Sequence, residues 1–482
     1  MSLLKKILLG VGIALITLVV LFVLIIGPWP CYKDSHFESS SYYAKALADI
    51  DASVADSEIT ATPGHFKAGW AQRIITPEVG VPLGGYGDRQ GAASTGVHDD
   101  LYVDALAVSD GKDEAVIAGS DMLIIPPNVA DMVHEQVCAA TPLKPEDIYL
   151  GASHTHCGPG ALGPGLAAYF SFGKYDPKVP AFIAKQFADA IIEAYGKMES
   201  ASLAHGSVDS PQFIRNRARD GVPVDAGLDF MVAKQDDGDM LYFVRYSAHP
   251  TNYGGRSMLQ FSAEFPGQLK KYLRALTNQS AAYIGGSLGS SGPRRPDVEG
   301  YEGDSPAKLD AQIEAMGRGL AELVVAAAKD LRYETNLDIV TEGTPFGLPP
   351  LQLRPFKPSF RLSPLAGKIM GVPPYGYISG LRIGNLMLIG MPYDLSGEIS
   401  LEWKQWAKDQ GVDLWPTGFS KAYLGYLSPD KYYNVLDKHG ALGYETGFMS
   451  WFGPNAEAYM TDLFHHAFKQ MTPQPVKTAA VQ

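Results

Sequence analysis

Three short apolar runs in this chain each lead into side chains that can hold a metal ion. Ile148-Tyr-Leu-Gly-Ala runs into Ser153-His154-Thr155-His156, Tyr242-Phe-Val-Arg-Tyr runs toward His249, and Leu386-Met-Leu-Ile-Gly runs toward Asp394. In α/β proteins ligand sites form beyond the carboxyl ends of the strands, so three separate strands deliver imidazoles and a carboxylate to one kind of place. Zinc takes such nitrogen and oxygen ligands in a roughly tetrahedral shell and keeps one position open for water when the site is catalytic. The chemistry open to this set is metal-assisted hydrolysis. A single histidine after a strand is equally a capping or hydrogen-bonding residue, so the convergence of three carries the reading.

The elements that must position these residues alternate between strand and helix. Strand-like runs cover Leu101 to Val108, Glu114 to Ile117, Ile148 to Ala152, Leu241 to Tyr246, Ala281 to Ile284 and Leu386 to Ile389. Helical periodicity covers Val129 to Ala140, Ala181 to Met198, Gly267 to Thr277, Ala307 to Leu331, Glu398 to Asp409 and Asn455 to Met471. That alternation predicts an α/β fold with mixed sheets and flanking helices. Pro345 to Pro374 is proline-rich and is expected to be irregular.

Composition narrows the function. The chain has 482 residues, 46% hydrophobic and 19% charged, an ordinary globular balance. A formal charge of -12 and a pI near 5.4 exclude nucleic acid as a partner, since phosphate binding needs a basic face. Cys31, Cys138 and Cys157 are odd in number and lack the spacing of a thiolate metal site or a disulfide framework.

Lys5 and Lys6 precede an apolar stretch from Ile7 to Ile26, long enough to cross a hydrocarbon core of about 30 Å. The following Gly27-Pro-Trp-Pro-Cys31 lacks the small-x-small pattern of a signal-peptidase site, which favours an uncleaved anchor over a signal peptide. Lipidation at Cys31 is a weaker alternative. Lysines before the helix place the N-terminus in the cytoplasm and the rest outside it, periplasmic or extracellular. The expected layout is a cytoplasmic stub and transmembrane anchor over 1–31, a stalk over 32–66 with a helix-compatible stretch near Tyr42 to Ala55, one catalytic domain over 67–471, and a disordered tail over 472–482.

Specific motifs go further. Ala68-Gly-Trp, Ile74-Ile-Thr-Pro-Glu-Val-Gly, Gly84-Gly-Tyr-Gly, Gly96-Val-His-Asp-Asp-Leu-Tyr, Ser120-Asp-Met-Leu and Ser153-His-Thr-His-Cys-Gly-Pro-Gly follow one another through the first part of the domain. Arg215-Asn-Arg, His249, Gly390-Met-Pro-Tyr-Asp, Ala422-Tyr-Leu-Gly-Tyr and Tyr444-Glu-Thr-Gly follow. In order and spacing this set resembles the catalytic domain of the neutral/alkaline non-lysosomal ceramidases, whose signature is His-Thr-His-Ser-Gly-Pro-Gly. The resemblance implies a zinc ion held by His154, His249, Asp394 and Tyr426. It implies that His156 shuttles protons and that Arg217 and Tyr444 hold the oxyanion or orient the amide. A tyrosinate ligand is chemically reasonable because a cation lowers the pKa of a coordinating phenol from near 10. His98 and Asp121 are expected to be structural or to support the ligands, since ligating imidazoles donate their free N–H to a carboxylate or carbonyl.

Two departures bear on mechanism. Where the family carries a serine before a proline, this chain reads Gly286-Ser-Leu-Gly-Ser-Ser-Gly292-Pro293-Arg294, with Gly292 in the serine's place. Ser291, or Ser290, could supply a hydroxyl from a neighbouring position, but the expected attacking group is water activated at the metal. Asp394 stands where the family has glutamate and is one methylene shorter. No counterpart of the family's C-terminal immunoglobulin-like module is expected in the stretch after Met471. The expected function is zinc-dependent hydrolysis of the amide bond of ceramide or a related N-acyl lipid, with the membrane engaged through the N-terminal helix and no protein partner. The alternatives are a zinc hydrolase of another amide or ester, and an inactive lipid-binding homologue lacking the family serine.

Overall fold

The computed structural model describes residues 3–54, 65–256, 258–301, 303–355 and 358–472. Its first helix, α1 (Leu3–Ile25), carries Lys5 and Lys6 in its first turn, is apolar from Ile7 onward apart from Thr17, and has no buried residue. At 1.5 Å per residue its 23 residues are long and apolar enough to cross a membrane. The next helix, α2 (Ser41–Val54), belongs to the segment expected as a stalk. Its described part instead packs on the domain. Ala46 and Ile50, one helical turn apart, are buried in a core with Phe37, Tyr459 and Phe464, because Tyr42, Tyr43, Ala46 and Ile50 form one apolar stripe. Residues 473–482, expected as a tail, lie outside the described residues.

Eight strands form the larger sheet: β1 (Lys67–Ile74), β2 (Tyr102–Ser109), β3 (Glu114–Ser120), β4 (Ile148–Ala152), β5 (Glu199–Asp209), β6 (Gly227–Gln235), β7 (Met240–Tyr246) and β8 (Ser280–Gly285). Their order is β8-β7-β6-β5-β1-β2-β3-β4. The β3–β4 and β7–β8 pairs are parallel and the others antiparallel. Helices α3 (Pro127–Ala140), the short α4 (Leu166–Phe172), α5 (Lys178–Gly196), α6 (Glu264–Thr277) and α7 (Pro306–Ala327) are interspersed with these strands. A second sheet has the order β9 (Ile339–Gly347), β10 (Tyr375–Ile383), β11 (Leu386–Gly390), β12 (Asp413–Thr417). With it go α8 (Pro364–Met370), α9 (Gly397–Asp409) and α10 (Ala456–Met471).

The alternation of side chains along the strands sets the layers. On β2, Val103, Ala105 and Ala107 face a core shared with α3, α5, α6 and α7, while Leu106 and Val108 face the second sheet. On β11, Leu386 and Leu388 meet that inter-sheet core, whereas Met387 and Ile389 face α2, α9 and α10. Both sheets are therefore apolar on both faces and are stacked as helix, sheet, sheet, helix, the mixed α/β arrangement expected from the sequence.

The large sheet also folds back on itself. A Cβ on Gly119 in β3 would lie 2.2 Å from the Tyr283 carbonyl in β8, and one on Gly151 in β4 would lie 2.2 Å from Ile284. Only glycine permits this approach. It brings together the ends of β4, β7 and β8, which lead to His154, His249 and Ser290–Ser291. One expectation fails: the proline-rich 345–374 stretch is not wholly irregular. Ser363 caps α8 by accepting from the Ala366 N–H at 3.1 Å, with proline at the first helical position.

Candidate active site and metal centre

His154 follows directly on β4 in the left-handed region, φ 66°, a conformation a histidine adopts only when its surroundings hold it there. Its backbone N–H donates to Met122 O at 2.9 Å. Its ring lies flat on Phe419, centroids 3.9 Å apart and 7° from parallel. Nδ1 is 2.6 Å from the Leu123 carbonyl, which makes Nδ1 the protonated nitrogen and leaves the Nε2 lone pair free. Burial lowers its pKa to about 3, so the imidazole is neutral, the form that ligates metals.

His249 comes three residues after β7. Its Nδ1 faces the Leu288 carbonyl at 3.3 Å, and burial again holds its pKa well below the usual histidine value. His156 brings its Nε2 to 3.0 Å from His249 Nε2, two atoms that both point at the same small space. Arg89 fixes the His156 backbone by donating to its carbonyl at 2.5 Å and to Gly84 O at 3.0 Å. Gly85, φ 109°, makes room for the ring, since a Cβ there would lie 2.6 Å from His156 Nδ1.

Asp394 and Tyr426 are set side by side by a two-residue parallel ladder, Asp394 opposite Tyr426 and Leu395 opposite Leu427. Asp394 Oδ2 is 3.9 Å from His154 Nε2. Burial raises the Asp394 pKa to about 7, with Arg217 opposing. Arg217 donates to the Tyr426 hydroxyl at 2.8 Å and to Gly289 O at 2.9 and 3.1 Å, and it lies 4.0 Å from Asp394 and 3.7 Å from Glu445. Tyr444 stands edge-on to Tyr426, centroids 5.7 Å apart, with its ring exposed.

The donor set fits a cation. The ligand atoms of His154, His156 and His249 all lie within 4.8 Å of one another. Among the described residues, both carboxylate oxygens of the buried Asp394 and Nδ1 of His156 have no hydrogen-bond partner. Buried carboxylate oxygens without a donor are rare and costly, and neither the neutral imidazoles nor Arg217, 4.0 Å away and beyond hydrogen-bond reach, supplies what a bound metal cation would. Burial pushes the Tyr426 phenol well above its ordinary value, so it could ligate as an anion only next to a positive ion.

His154, His156, His249, Asp394, Arg217, Tyr426 and Tyr444 thus lie in one connected group. Others are placed differently. Asp121, expected near the ligands, accepts from buried Lys270 at 2.8 Å and from the Tyr102 N–H at 2.9 Å, and carbonyls take its place beside the imidazoles. His98 pairs with Asp99 at 3.0 Å and Asp310 at 3.5 Å. Ser291 has its buried oxygen against Gly397, 3.3 Å from where a Cβ would stand, without a hydrogen-bond partner among the described residues. Ser290 accepts from the Gly397 N–H at 3.0 Å. At Gly292 it is the missing Cβ that would face Arg217, 3.3 Å from its Cβ.

Three contributors escaped the sequence reading. Phe419 has no motif signature. Arg89 comes two residues after the quoted Gly84-Gly-Tyr-Gly. Glu264 accepts from the Asn252 N–H at 2.5 Å and from Thr155 Oγ1 at 3.3 Å, tying the His154–His156 turn to the loop after His249. An acidic residue opening an amphipathic helix looks like an ordinary helix start, which hid it.

An apolar groove of about 500 Å³ adjoins this group. Ile124, next to Leu123, lies on its wall, as do Tyr423, which packs on Phe419, and Phe448, which packs on Tyr444. Met449, also on the wall, accepts from the Tyr426 N–H at 2.8 Å.

The fold so assembled is that of the neutral ceramidases. A neutral ceramidase from Pseudomonas aeruginosa matches with a TM-score of 0.72 at 17% identity, over 88% of this chain and 76% of that one. A ceramidase complexed with C2 matches with a TM-score of 0.70 at 17% identity, over 86% and 77%. No protein-family model matches the chain, and no curated protein matches it. The neutral-ceramidase-like fold expected from the motifs is present, and at this identity the likeness is one of fold.

Proposed function

We propose that this protein hydrolyses the amide bond of an N-acyl lipid, with ceramide as the leading substrate, releasing a fatty acid and an amino-alcohol base. The observation that carries the reading is the buried Asp394 carboxylate, without a hydrogen-bond partner among the described residues, beside three neutral imidazoles, with an apolar groove adjoining the group at Ile124, Tyr423 and Met449. His154, His249, Asp394 and Tyr426 would hold a zinc ion. When bound, zinc polarises the acyl carbonyl and lets water act as a nucleophile at neutral pH.

The chain's own residues supply the rest. The groove takes the acyl chain and orients the carbonyl toward the imidazoles. His156, neutral through burial, takes a proton from the attacking water and delivers it to the departing nitrogen. The water oxygen stays on the acyl carbon and the C–N bond breaks. Arg217 holds the Tyr426 hydroxyl in place, and the exposed Tyr444 beside Tyr426 contacts the amide or the developing oxyanion. Gly292 offers no hydroxyl, which favours water as the nucleophile. The α1 helix would span the membrane, with the N-terminus in the cytoplasm and the domain outside.

The test is incubation of the detergent-solubilised full chain with N-acyl lipids, ceramides included, and with matched esters. Release of fatty acid from an amide is the expected result. Cleavage of esters alone would overturn the amidase reading. Absence of any cleavage by a metal-loaded, folded chain would favour a lipid-binding protein.

A further inference from the structure

Helix α1, long and apolar enough to cross a membrane, is not joined to the domain by a loose tether. Ser363, the cap of α8, donates its backbone N–H to Ile26 O at 2.9 Å and its hydroxyl to Ile25 O. Trp29 and Pro30 pair antiparallel with Arg361 and Phe360, Arg361 Nε donates to Pro30 O at 2.9 Å, and Trp29 Nε1 donates to Val23 O at 2.7 Å. The end of α1 and the start of α8 therefore stand at the same height. At that height the Arg361 guanidinium lies 5.2 Å from the Trp29 ring and 4.2 Å from the Tyr32 ring, the aromatic and cationic chemistry found where a bilayer meets water.

From this junction α8 leaves Leu365 and Ile369, one turn apart, 45% and 53% exposed. The adjacent α4 leaves Leu166 48% and Phe170 59% exposed. Exposed apolar side chains clustered on two neighbouring helices mark a contact surface. Met370 of α8, Phe170 and Phe172 of α4, and Leu362 just before α8 line the apolar groove, whose wall also carries Ile124, Tyr423 and Met449 beside the imidazole group.

We propose that α4 and α8 form a second membrane contact, seated in the leaflet at the outer end of α1, so that the groove opens onto lipid. Continuity with α1 selects the bilayer over other occupants of this face: a helix end inside the membrane places Leu365 and Ile369 in the interfacial zone, where short apolar helix faces bury. A lipid would then enter acyl chain first without passing through water. The idea rests on the proposed function for two things, α1 as a retained membrane span and the identity of that lipid.

Two measurements on the full chain decide it, in a Cys31→Ser, Cys138→Ser background that leaves the buried Cys157 in place. An environment-sensitive fluorophore is attached at Ile369→Cys, Leu166→Cys or, as a control on the turn between β6 and β7, Asp237→Cys. The protein is reconstituted in phosphatidylcholine vesicles containing a shallow spin-labelled lipid. Quenching at 369 and 166 at least about twofold greater than at 237 is expected for residues at interfacial depth. Equal quenching at all three, or a dimer that covers 369 and 166, overturns the proposal. Leu365→Asp with Ile369→Asp is expected to cut hydrolysis of a long-chain N-acyl lipid in vesicles about tenfold and to leave a short-chain, water-dispersed one unchanged. Unchanged vesicle turnover also overturns it. If the wild-type chain cleaves no N-acyl lipid, the functional reading fails while the depth measurement still decides the membrane contact.

Discussion

Arg217 donates to the Tyr426 hydroxyl at 2.8 Å while its guanidinium lies 4.0 Å from the Asp394 carboxylate. One cation thus bridges both members of the Asp394–Tyr426 ladder. Arg217→Lys keeps the charge but loses the planar fork that also grips Gly289 O. We expect kcat/KM on an N-acyl lipid to fall about a hundredfold, with bound metal retained. Tyr426→Phe should lower both turnover and metal content. Steady-state kinetics paired with elemental analysis checks this, and metal loss in Arg217→Lys with none in Tyr426→Phe would reverse the two roles.

The purified protein is expected to carry about one zinc per chain. His154→Ala and His249→Ala should weaken binding well beyond the roughly tenfold loss that follows even from changing a ligand's supporting partner. His156→Ala should keep the metal and lose turnover by about 10²–10⁴ as a proton carrier. Should His156→Ala lose the metal instead, the 3.0 Å approach of His156 to His249 marks a third imidazole ligand.

Gly85 lies against His156 with φ 109° and no space for a methyl group. Gly85→Ala is expected to push the imidazole aside and cost about a hundredfold in kcat, the scale of a one-ångström misplacement. Circular dichroism and metal content should remain those of the wild type. Wild-type kcat in a folded Gly85→Ala chain would show that the position of His156 does not matter.

If water attacks, Ser291→Ala should leave turnover within about a factor of three. Ser290→Ala should do likewise but destabilise the fold by about 1 kcal/mol, because Ser290 satisfies the first N–H of α9. Loss of activity in either variant at full metal content would point to a seryl nucleophile.

Glu342 on β9 is buried, with Oε2 lacking a hydrogen-bond partner among the described residues, and burial raises its pKa from 4.5 to about 7. A carboxyl whose folded pKa lies above its unfolded one holds its proton in the fold. Its contribution is therefore complete at acid pH and declines as pH rises from about 4.5 through about 7. Glu342→Gln should leave the apparent Tm near wild type at pH 5 and raise it by about 2 °C or more at pH 8. Equal Tm shifts at both values would show that Glu342 is ionised in the fold.

By itself the sequence determined what is local. Strand β4 ends where its apolar run ends, α9 and α10 begin within a residue of where periodicity places them, and His154, His156, His249, Asp394, Arg217, Tyr426 and Tyr444, which the family resemblance singles out, lie near one another in the fold. Strand β5, by contrast, reads Glu-Ser-Ala-Ser-Leu-Ala-His-Gly-Ser-Val-Asp and was not expected, because it gains its stability from β6 beside it rather than from its own apolar pattern. Helix α8 was hidden by the prolines around it, and α2 was mistaken for a stalk because its apolar stripe has meaning only against α10 and β9.

Tertiary structure alone decided the rest. The curl of the large sheet at Gly119 and Gly151 joins strand ends that lie far apart in the chain. A stacking ring such as Phe419 is selected by shape and not by type, so no local signal announces it. Direction was also undecided: moving one residue along an extended backbone turns a side chain to the opposite face, which is why Ser291 meets Gly397 while Gly292 faces Arg217. The seat of α1 on α8 depends on hydrogen bonds to backbone carbonyls across more than 300 positions of the chain, 338 for the Ser363 hydroxyl to Ile25 O, and carbonyls carry no sequence signal, so only the folded chain selects them.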